Sequence, residues 1–382
     1  EEYHSYYFVS YRAMNICFQI LSLNASSGAE KVLAGLASEL ARRGNEVSVI
    51  CLAREGKESF YPLYKTVKVY YLDRWDEEPG LAKVSKKIRN FWRIRLLYKV
   101  LRRIKPDISV SFLTDMTIYA AWAAKYARIP HISCERNSPW DKPEKVDKRI
   151  RRNRAFAVSK GCIVQTEAIK EYFDEKIQKK TIVIPNYVML TSTPLNPNTQ
   201  RDKRIVSIGR ITAQKNQVLL VKAFYSFHKE HPEYILEIYG KAFGEHNELE
   251  TLIKNLNLEE CVFVNAPSPD VHERIKSAKM FVLTSNFEGY PNALAEAVAS
   301  GIPSISTDCR SKGPEEILQN GKRGLLVPLN DCDSLISAME LLINDEELAR
   351  QFSVCGIAYG VENNISRYVD TWECTLRRFA RH

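Results

Sequence analysis

Two doubly wound α/β domains are predicted for this chain, on three observations. Short apolar runs alternate with helical stretches through the first half, the second half repeats the scheme, and a Pro-, Asn- and Thr-rich stretch at 191–203 parts them. Strands separated by helices imply right-handed crossovers and parallel sheets, whose ligand crevices lie at the carboxyl ends of the strands.

In the first half the run Asn15 to Leu23 reads as a strand. A loop at Gly28 follows, then a helix from about Ala29 to Arg43 that Gly44 caps. Further strands are expected at Glu46 to Leu52, Val67 to Leu72, Ile108 to Phe112, Pro130 to Cys134, Gly161 to Gln165 and Thr181 to Ile184. The second half places strands at Arg204 to Ile208, Tyr234 to Tyr239, Val262 to Asn265, Lys279 to Thr284 and Pro303 to Ser306. A helix carrying Trp372 is expected over Asn364 to Phe379. The domains are accordingly drawn at 14–190 and 203–363, with 364–379 as a final helix and 1–13 as an extension.

Composition narrows the function classes. At 382 residues, with 45% hydrophobic and 26% charged residues, the chain has the make-up of a globular protein of two ordinary domains. No apolar stretch approaches the roughly 18 residues of a membrane span, and the start lacks the basic-then-apolar order of a signal peptide. Nine cysteines, an odd number with no Cys-x-x-Cys, fit a reducing cytoplasm better than a disulfide framework or a metal site. Net charge is +9, and about +13 of it falls in residues 1–190 against about −4 in the remainder. The first half is therefore expected to meet something anionic.

Chemistry concentrates in the second half. After the apolar run Met280 to Ser285 come Phe287-Glu288-Gly289-Tyr290-Pro291-Asn292, which open an Ala-rich helix that Gly301 ends. Glu288 then lies in the strand-to-helix loop and Glu296 about one turn into the helix. Backbone N–H groups of Gly289 to Ala293 between them make an anion site with a carboxylate on each side. A sugar nucleotide presents that pattern of phosphate and hydroxyl groups. Gly209 turns the chain after Arg204 to Ile208, and Arg210 and Lys215 follow, two cations that could neutralise a diphosphate without a metal.

Gly209-Arg210 with Lys215, then Glu288 and Glu296 with seven residues between them, resembles the donor-site signature of retaining glycosyltransferases of family 4, which have the GT-B fold. Ser27-Gly28-Ala29-Glu30 resembles the Gly-Gly-x-Glu loop of that family, with Ser27 in place of the first glycine. Ile184-Pro185-Asn186, Gly313-Pro314-Glu315-Glu316-Ile317 and Gly324-Leu325-Leu326-Val327-Pro328 match further landmarks. The likeness spans about residues 14 to 375 and is nearest to bacterial enzymes of capsule, O-antigen and N-glycan precursor assembly.

The resemblance implies two Rossmann-like domains facing a central cleft, with a final helix crossing back onto the first. Glu296 would hold the donor ribose, Glu288 would lie beside the donor sugar, and Arg210 and Lys215 would stabilise the departing diphosphate. The amides of Gly289, Tyr290, Pro291 and Asn292 would grip that diphosphate, Gly28 and Gly209 would keep their loops open, and Asn265 and Ala266 would meet the nucleobase. No cofactor and no metal are implied, only a nucleotide-sugar substrate, expected to be UDP-linked to a hexose or N-acetylhexosamine. Its acceptor would be a glycan on a polyprenyl diphosphate lipid, reached by an enzyme peripheral to the inner face of the cell membrane.

One departure concerns the first domain. Many relatives carry a His after the strand matching Pro130 to Cys134, where this chain has Glu135-Arg136-Asn137-Ser138. Arg136 there would be a permanent cation and no general base. Asp115, past the strand Ile108 to Phe112, is an alternative polar group for the cleft or else a loop cap. Asp331-Cys332-Asp333 could bind a metal, but its place before the helical pattern Ser334 to Ile343 makes it an N-cap. The histidines 131, 228, 231, 246 and 272 show no pairing that implies metal or nucleophilic chemistry.

Lys83 to Lys105 contains ten cations and no acid, interleaved with Phe91, Trp92, Ile94, Leu97, Tyr98 and Leu101. Lys142 to Arg154 adds a second basic cluster. An apolar stripe rimmed by cations suits an anionic membrane surface, and a helix packed on its own domain with a basic outer face is the alternative. No nucleic-acid motif accompanies the charge. The rival function is a GT-B-fold UDP-sugar 2-epimerase, which would need acid/base residues opposite the sugar and no basic amphipathic surface. A non-catalytic binding protein is a third reading.

Overall fold

The computed structural model describes residues 12–24, 27–52, 59–72, 85–140, 146–190, 192–242, 244, 246–268 and 270–380, with Lys86 as backbone only. Lys83, Lys142 and nearly all of the expected extension 1–13 lie outside these residues. Two compact units emerge: Glu1–Cys134 with Val146–Cys162 and Trp372–His382, and Glu135–Lys145 with Ile163–Thr371.

The first half runs β1 (Asn15–Ile20), α1 (Gly28–Arg42), β2 (Glu46–Cys51), β3 (Lys68–Tyr71), α2 (Lys86–Ile104), β4 (Ile108–Phe112), α3 (Thr114–Ala127), β5 (His131–Cys134), α4 (Val146–Val158), β6 (Gly161–Val164), α5 (Glu167–Glu171), α6 (Glu175–Gln178) and β7 (Thr181–Val183). Its seven-stranded sheet has the order β3-β2-β1-β4-β5-β6-β7. β1 pairs in parallel with both β2 and β4, so the strand order reverses between β1 and β4. Gly44, expected as a cap, takes φ +88°, which glycine adopts without penalty.

This unit's core is closed by the end of the chain. Phe18 of β1 and Phe112 of β4 meet edge to face at 6.1 Å. Trp372 stacks on Phe112 at 5.9 Å, and its side chain is fully buried. His131 is also fully enclosed, between Ser109 Oγ at 2.8 Å and Ser111 Oγ at 3.0 Å. Burial holds its pKa down to about 3, so it serves as a neutral hydrogen-bonding core residue.

The expected apolar stripe of α2 divides in two. Leu97 and Leu101 are fully buried, and Ile94 and Tyr98 pack beside them against α3. Ile88, Phe91 and Trp92 face outward instead. Packing on its own unit, the alternative for this segment, thus accounts for four of the six named apolar groups.

The second half runs β8 (Asp202–Ile208), α7 (Gln217–Glu230), β9 (Ile235–Tyr239), α8 (His246–Asn255), β10 (Val262–Asn265), α9 (Val271–Ile275), β11 (Ala278–Leu283), α10 (Asn292–Ala299), β12 (Ser304–Thr307), α11 (Gly313–Leu318), β13 (Leu325–Val327), α12 (Cys332–Asn344), α13 (Glu346–Glu362) and α14 (Ile365–Ala380). Its sheet has the order β10-β9-β8-β11-β12-β13, reversing between β8 and β11. β13 was not among the expected strands: three residues after a glycine show no readable alternation, and only its register with Ile305 to Thr307 defines it.

The tail of the expected linker is fastened. Arg201 donates to the carbonyls of Lys276 at 3.0 Å and Ala278 at 3.2 Å, to Ser353 Oγ at 3.3 Å and to the carbonyl of Gly301. Burial lowers its pKa to about 10, still well above neutrality, so the cation is retained.

Candidate active site

The candidate site lies where β8 and β11 of the second unit lie side by side and the strand order reverses, the place where a doubly wound sheet opens a crevice. Gly209, Arg210 and Lys215 follow β8; Ser285 to Asn292 follow β11. The two loops are laced together. Thr284 Oγ1 donates to the carbonyls of Lys215 at 3.1 Å and Asn216 at 3.0 Å, and Asn286 N donates to the Gln214 carbonyl at 2.8 Å.

Lys215 and Glu288 meet directly. Nζ donates to Glu288 Oε1 at 2.5 Å, and Ser285 Oγ donates to the same oxygen at 2.6 Å. The side chains are 15% and 8% exposed, so the pair is shielded from bulk water and its charges are coupled strongly. Arg210 is exposed, and its carbonyl accepts from Gln217 Nε2 at 3.0 Å.

Gly209 N donates to the Tyr239 carbonyl at 2.9 Å and Gly240 N to the Asn265 carbonyl at 3.0 Å, which carries the sheet ladder past the strand ends. A side chain at Gly240 would stand 1.8 Å from the Gly209 carbonyl, so this turn requires glycine. Asn265 is thereby tied to Gly240, and Ala266 next to it is exposed.

Gly289 is equally constrained. A Cβ there would meet Gln165 Oε1 at 2.5 Å and the Arg136 carbonyl at 2.8 Å, and one at Gly313 would meet the Gly289 carbonyl at 2.1 Å. Pro291 precedes α10, whose first intrahelical bond runs from Ala295 N to the Pro291 carbonyl at 3.1 Å. The helix start thus sits with its positive end at the loop. Tyr290 turns its side chain inward, its hydroxyl 2.8 Å from that of Tyr359, and burial pushes its pKa well up. Asn292 Oδ1 accepts from Asn186 Nδ2 at 2.6 Å.

Glu296 lies one turn into α10 and is 6% exposed. His272 of α9 places Nε2 at 2.9 Å from Glu296 Oε2. No spacing rule foretells this contact, because the two residues are on separate elements with no motif between them. Gln165 was missed for the same reason, Ser285 and Gly240 were not singled out although they sit close to expected site residues or strand ends, and Asn186 was read only as a family landmark.

Three other expected residues have these local surroundings. The Arg136 guanidinium donates to the Tyr368 hydroxyl at 2.7 Å, and its carbonyl adjoins Gly289. Gly28 is the exposed first residue of α1, one residue ahead of the expected helix start. Asp115 is in the first turn of α3, paired with Lys148 Nζ at 2.7 Å; both it and Gly28 belong to the first unit. Asp331 caps α12, accepting from Ser334 N at 2.9 Å and from Ser334 Oγ at 2.6 Å, and those bonds hold its carboxyl below the usual range.

Two doubly wound units, the second with paired cations and carboxylates around a helix start, define the GT-B class of glycosyltransferases. The chain belongs to the family 4 glycosyltransferases: residues 26–191 match Glycosyltransferase Family 4 and residues 194–356 match Glycosyl transferases group 1. An uncharacterized glycosyltransferase of Haemophilus influenzae is 24% identical over 94% of this chain and 99% of its own length. A Campylobacter jejuni relative is 28% identical over 88% of this chain and 91% of its own. It is named as an alpha-1,4-N-acetyl-D-galactosaminyltransferase acting on GalNAc-alpha-(1->4)-GalNAc-alpha-(1->3)-diNAcBac-PP-undecaprenol.

Among solved structures, Anabaena HepE in complex with UDP and glucose superposes with a TM-score of 0.78 at 18% identity, covering 95% of this chain and 99% of its own. S. aureus TarM in complex with UDP gives 0.76 at 14% identity, covering 95% and 100%.

Proposed function

We propose that this glycosyltransferase moves a hexose or N-acetylhexosamine from a UDP-sugar, with retention and without a metal, to a glycan on a lipid carrier. The observation that carries the reading is the buried Lys215–Glu288 pair directly ahead of α10, with Glu296 one turn into that helix and Arg210 close by in the chain. The UDP bound to HepE and the undecaprenol-linked substrate named for the Campylobacter relative support the donor and acceptor classes. In the step proposed, the bond from the anomeric carbon to the phosphate oxygen breaks. The acceptor oxygen bonds that carbon on the same face, and the leaving diphosphate takes the acceptor proton. Lys215 and Arg210 offset the charge that develops on the diphosphate, as preorganised cations do in a water-poor site.

Calorimetric titration with UDP-sugars, with EDTA present throughout, tests this. The parent is expected to bind, and Glu296→Ala to bind about ten- to a hundredfold more weakly, the worth of lost charge-assisted hydrogen bonds of about 1.5–3 kcal/mol. Equal affinity in the variant would remove Glu296 from the donor site, and binding only on adding manganese would overturn the metal-free reading.

We also propose that the outer face of α2 rests on anionic lipid. No helix among the described residues is long and apolar enough to cross a membrane, and Ile88, Phe91 and Trp92 stand exposed beside Arg95, Lys99, Arg102 and Arg103. Co-sedimentation with anionic vesicles is expected at low salt and release as salt rises, each near-surface cation contributing about 1 kcal/mol. Substituting Arg95, Arg102 and Arg103 by Gln should weaken it. Equal binding to neutral vesicles would sink the idea.

A further inference from the structure

The first unit holds a cavity of about 280 Å³ between α2, α3 and α4. Arg89 and Arg93 reach it from α2, Lys148 and Arg151 from α4, and Asp115 and Tyr119 from α3. Four cations therefore line one concavity against one carboxylate. Arg89 and Arg93 stand one turn apart on the same helix, as do Lys148 and Arg151, arrangements in which like charges repel. A fold that only needed solvated surface charge would not gather them in a hollow, where water screens them less.

Internal partners fix the geometry of the hollow and leave it cationic. Lys148 Nζ holds Asp115 Oδ1 at 2.7 Å, and Arg151 Nη2 meets Asp147 at 3.2 Å. Arg93 Nη1 donates to the Tyr119 hydroxyl at 2.9 Å, which donates in turn to Asn90 Oδ1 at 3.1 Å. The guanidinium also lies 5.2 Å from the Tyr119 ring centre, so it is oriented rather than swinging freely. Oriented guanidinium groups match phosphate oxygens in pairs, which lysine surfaces do not.

A second cavity, about 170 Å³, shares Asn90, Ile118, Tyr119 and Arg151 with the first and adds Ile94, Trp122 and Arg154. The hollow is thus cationic at one end, and at the adjoining one Ile94, Ile118 and Trp122 supply an apolar wall with Arg151 and Arg154 beside it. We infer that it seats a phosphorylated amphiphile, with phosphate or diphosphate among Arg89, Arg93, Lys148 and Arg151 and hydrocarbon along Ile94, Ile118 and Trp122. This deepens the acceptor reading above and rests on it only for the occupant's role as the carrier of the glycan. It also gives Asp115 a place among binding groups rather than reacting ones: its charge opposes the ligand and tempers the site.

The test is calorimetry on the full chain, in saturating UDP, with geranyl diphosphate, sodium diphosphate and geraniol as separate probes. Geranyl diphosphate is expected to bind at least about tenfold more tightly than diphosphate, and geraniol not measurably, since the charged contacts carry most of the affinity. Arg89→Gln with Arg151→Gln should weaken geranyl diphosphate about a hundredfold, and Asp115→Asn should tighten it severalfold. A thermal melt matching the parent's establishes that the variants fold, and a UDP titration of each sample separates failure of the donor reading from failure of this one. Unchanged affinity in the double variant, or loss of binding in Asp115→Asn, would overturn the site. Equal affinity for diphosphate and geranyl diphosphate would overturn the amphiphile.

Discussion

Lys215→Ala is expected to lower turnover at saturating donor on the order of a hundredfold, the usual cost of removing one preorganised group from a charge-developing transition state. The cation must act on the leaving diphosphate, whose charge grows as the glycosyl bond breaks, so its loss should appear in kcat more than in KM. Its setting strengthens the expectation. Lys215 and Glu288 are 2.5 Å apart and largely buried, so the variant also leaves a buried carboxylate that still accepts from Ser285 but has lost its cation. Arg210→Ala should cost less, because Arg210 is exposed and water screens its field. Steady-state rates of nucleotide release, measured across donor concentration, check both. A Lys215→Ala enzyme with normal kcat and a raised KM would confine Lys215 to donor binding.

Trp372→Ala is expected to destabilise the first unit by about 3–5 kcal/mol, the range for emptying a large aromatic from a core. Trp372 is fully buried, stacked on Phe112 at 5.9 Å and edge-on to Phe18 at 6.5 Å, so no collapse of small neighbours can refill the space. A chain with two compact units need not melt in one step, so calorimetry should resolve a transition that moves down while UDP affinity holds. Coincident melting of variant and parent would show that the ring contributes little.

What the sequence disclosed follows from how local each signal is. Met280 to Ser285, Glu288, Pro291 and Glu296 occupy one short stretch, so strand, loop and helix start could be read from period and turn chemistry alone. The strands Ile108 to Phe112 and Val262 to Asn265 stand where expected to the residue. Contacts between distant segments were hidden: His272 with Glu296, Asp115 with Lys148 and Gln165 with Gly289 join residues that no spacing rule connects. Helical period placed apolar groups around α2 but could not say which side met α3, and so Leu97 and Phe91 ended on opposite faces.

The aromatic cluster also fixes an order of events during synthesis. Phe18 and Phe112 leave the ribosome early, whereas Trp372 follows Phe112 by roughly 260 residues, which at about 5–20 residues per second is a delay of roughly ten to fifty seconds. Through the later part of that interval, once β7 has emerged, the first sheet has its strands but the core lacks its last side chain, and the faces of Phe18 and Phe112 stay uncovered. A nascent chain stalled before α14 would therefore present a sticky, unfinished first unit beside a second unit whose sheet is already complete.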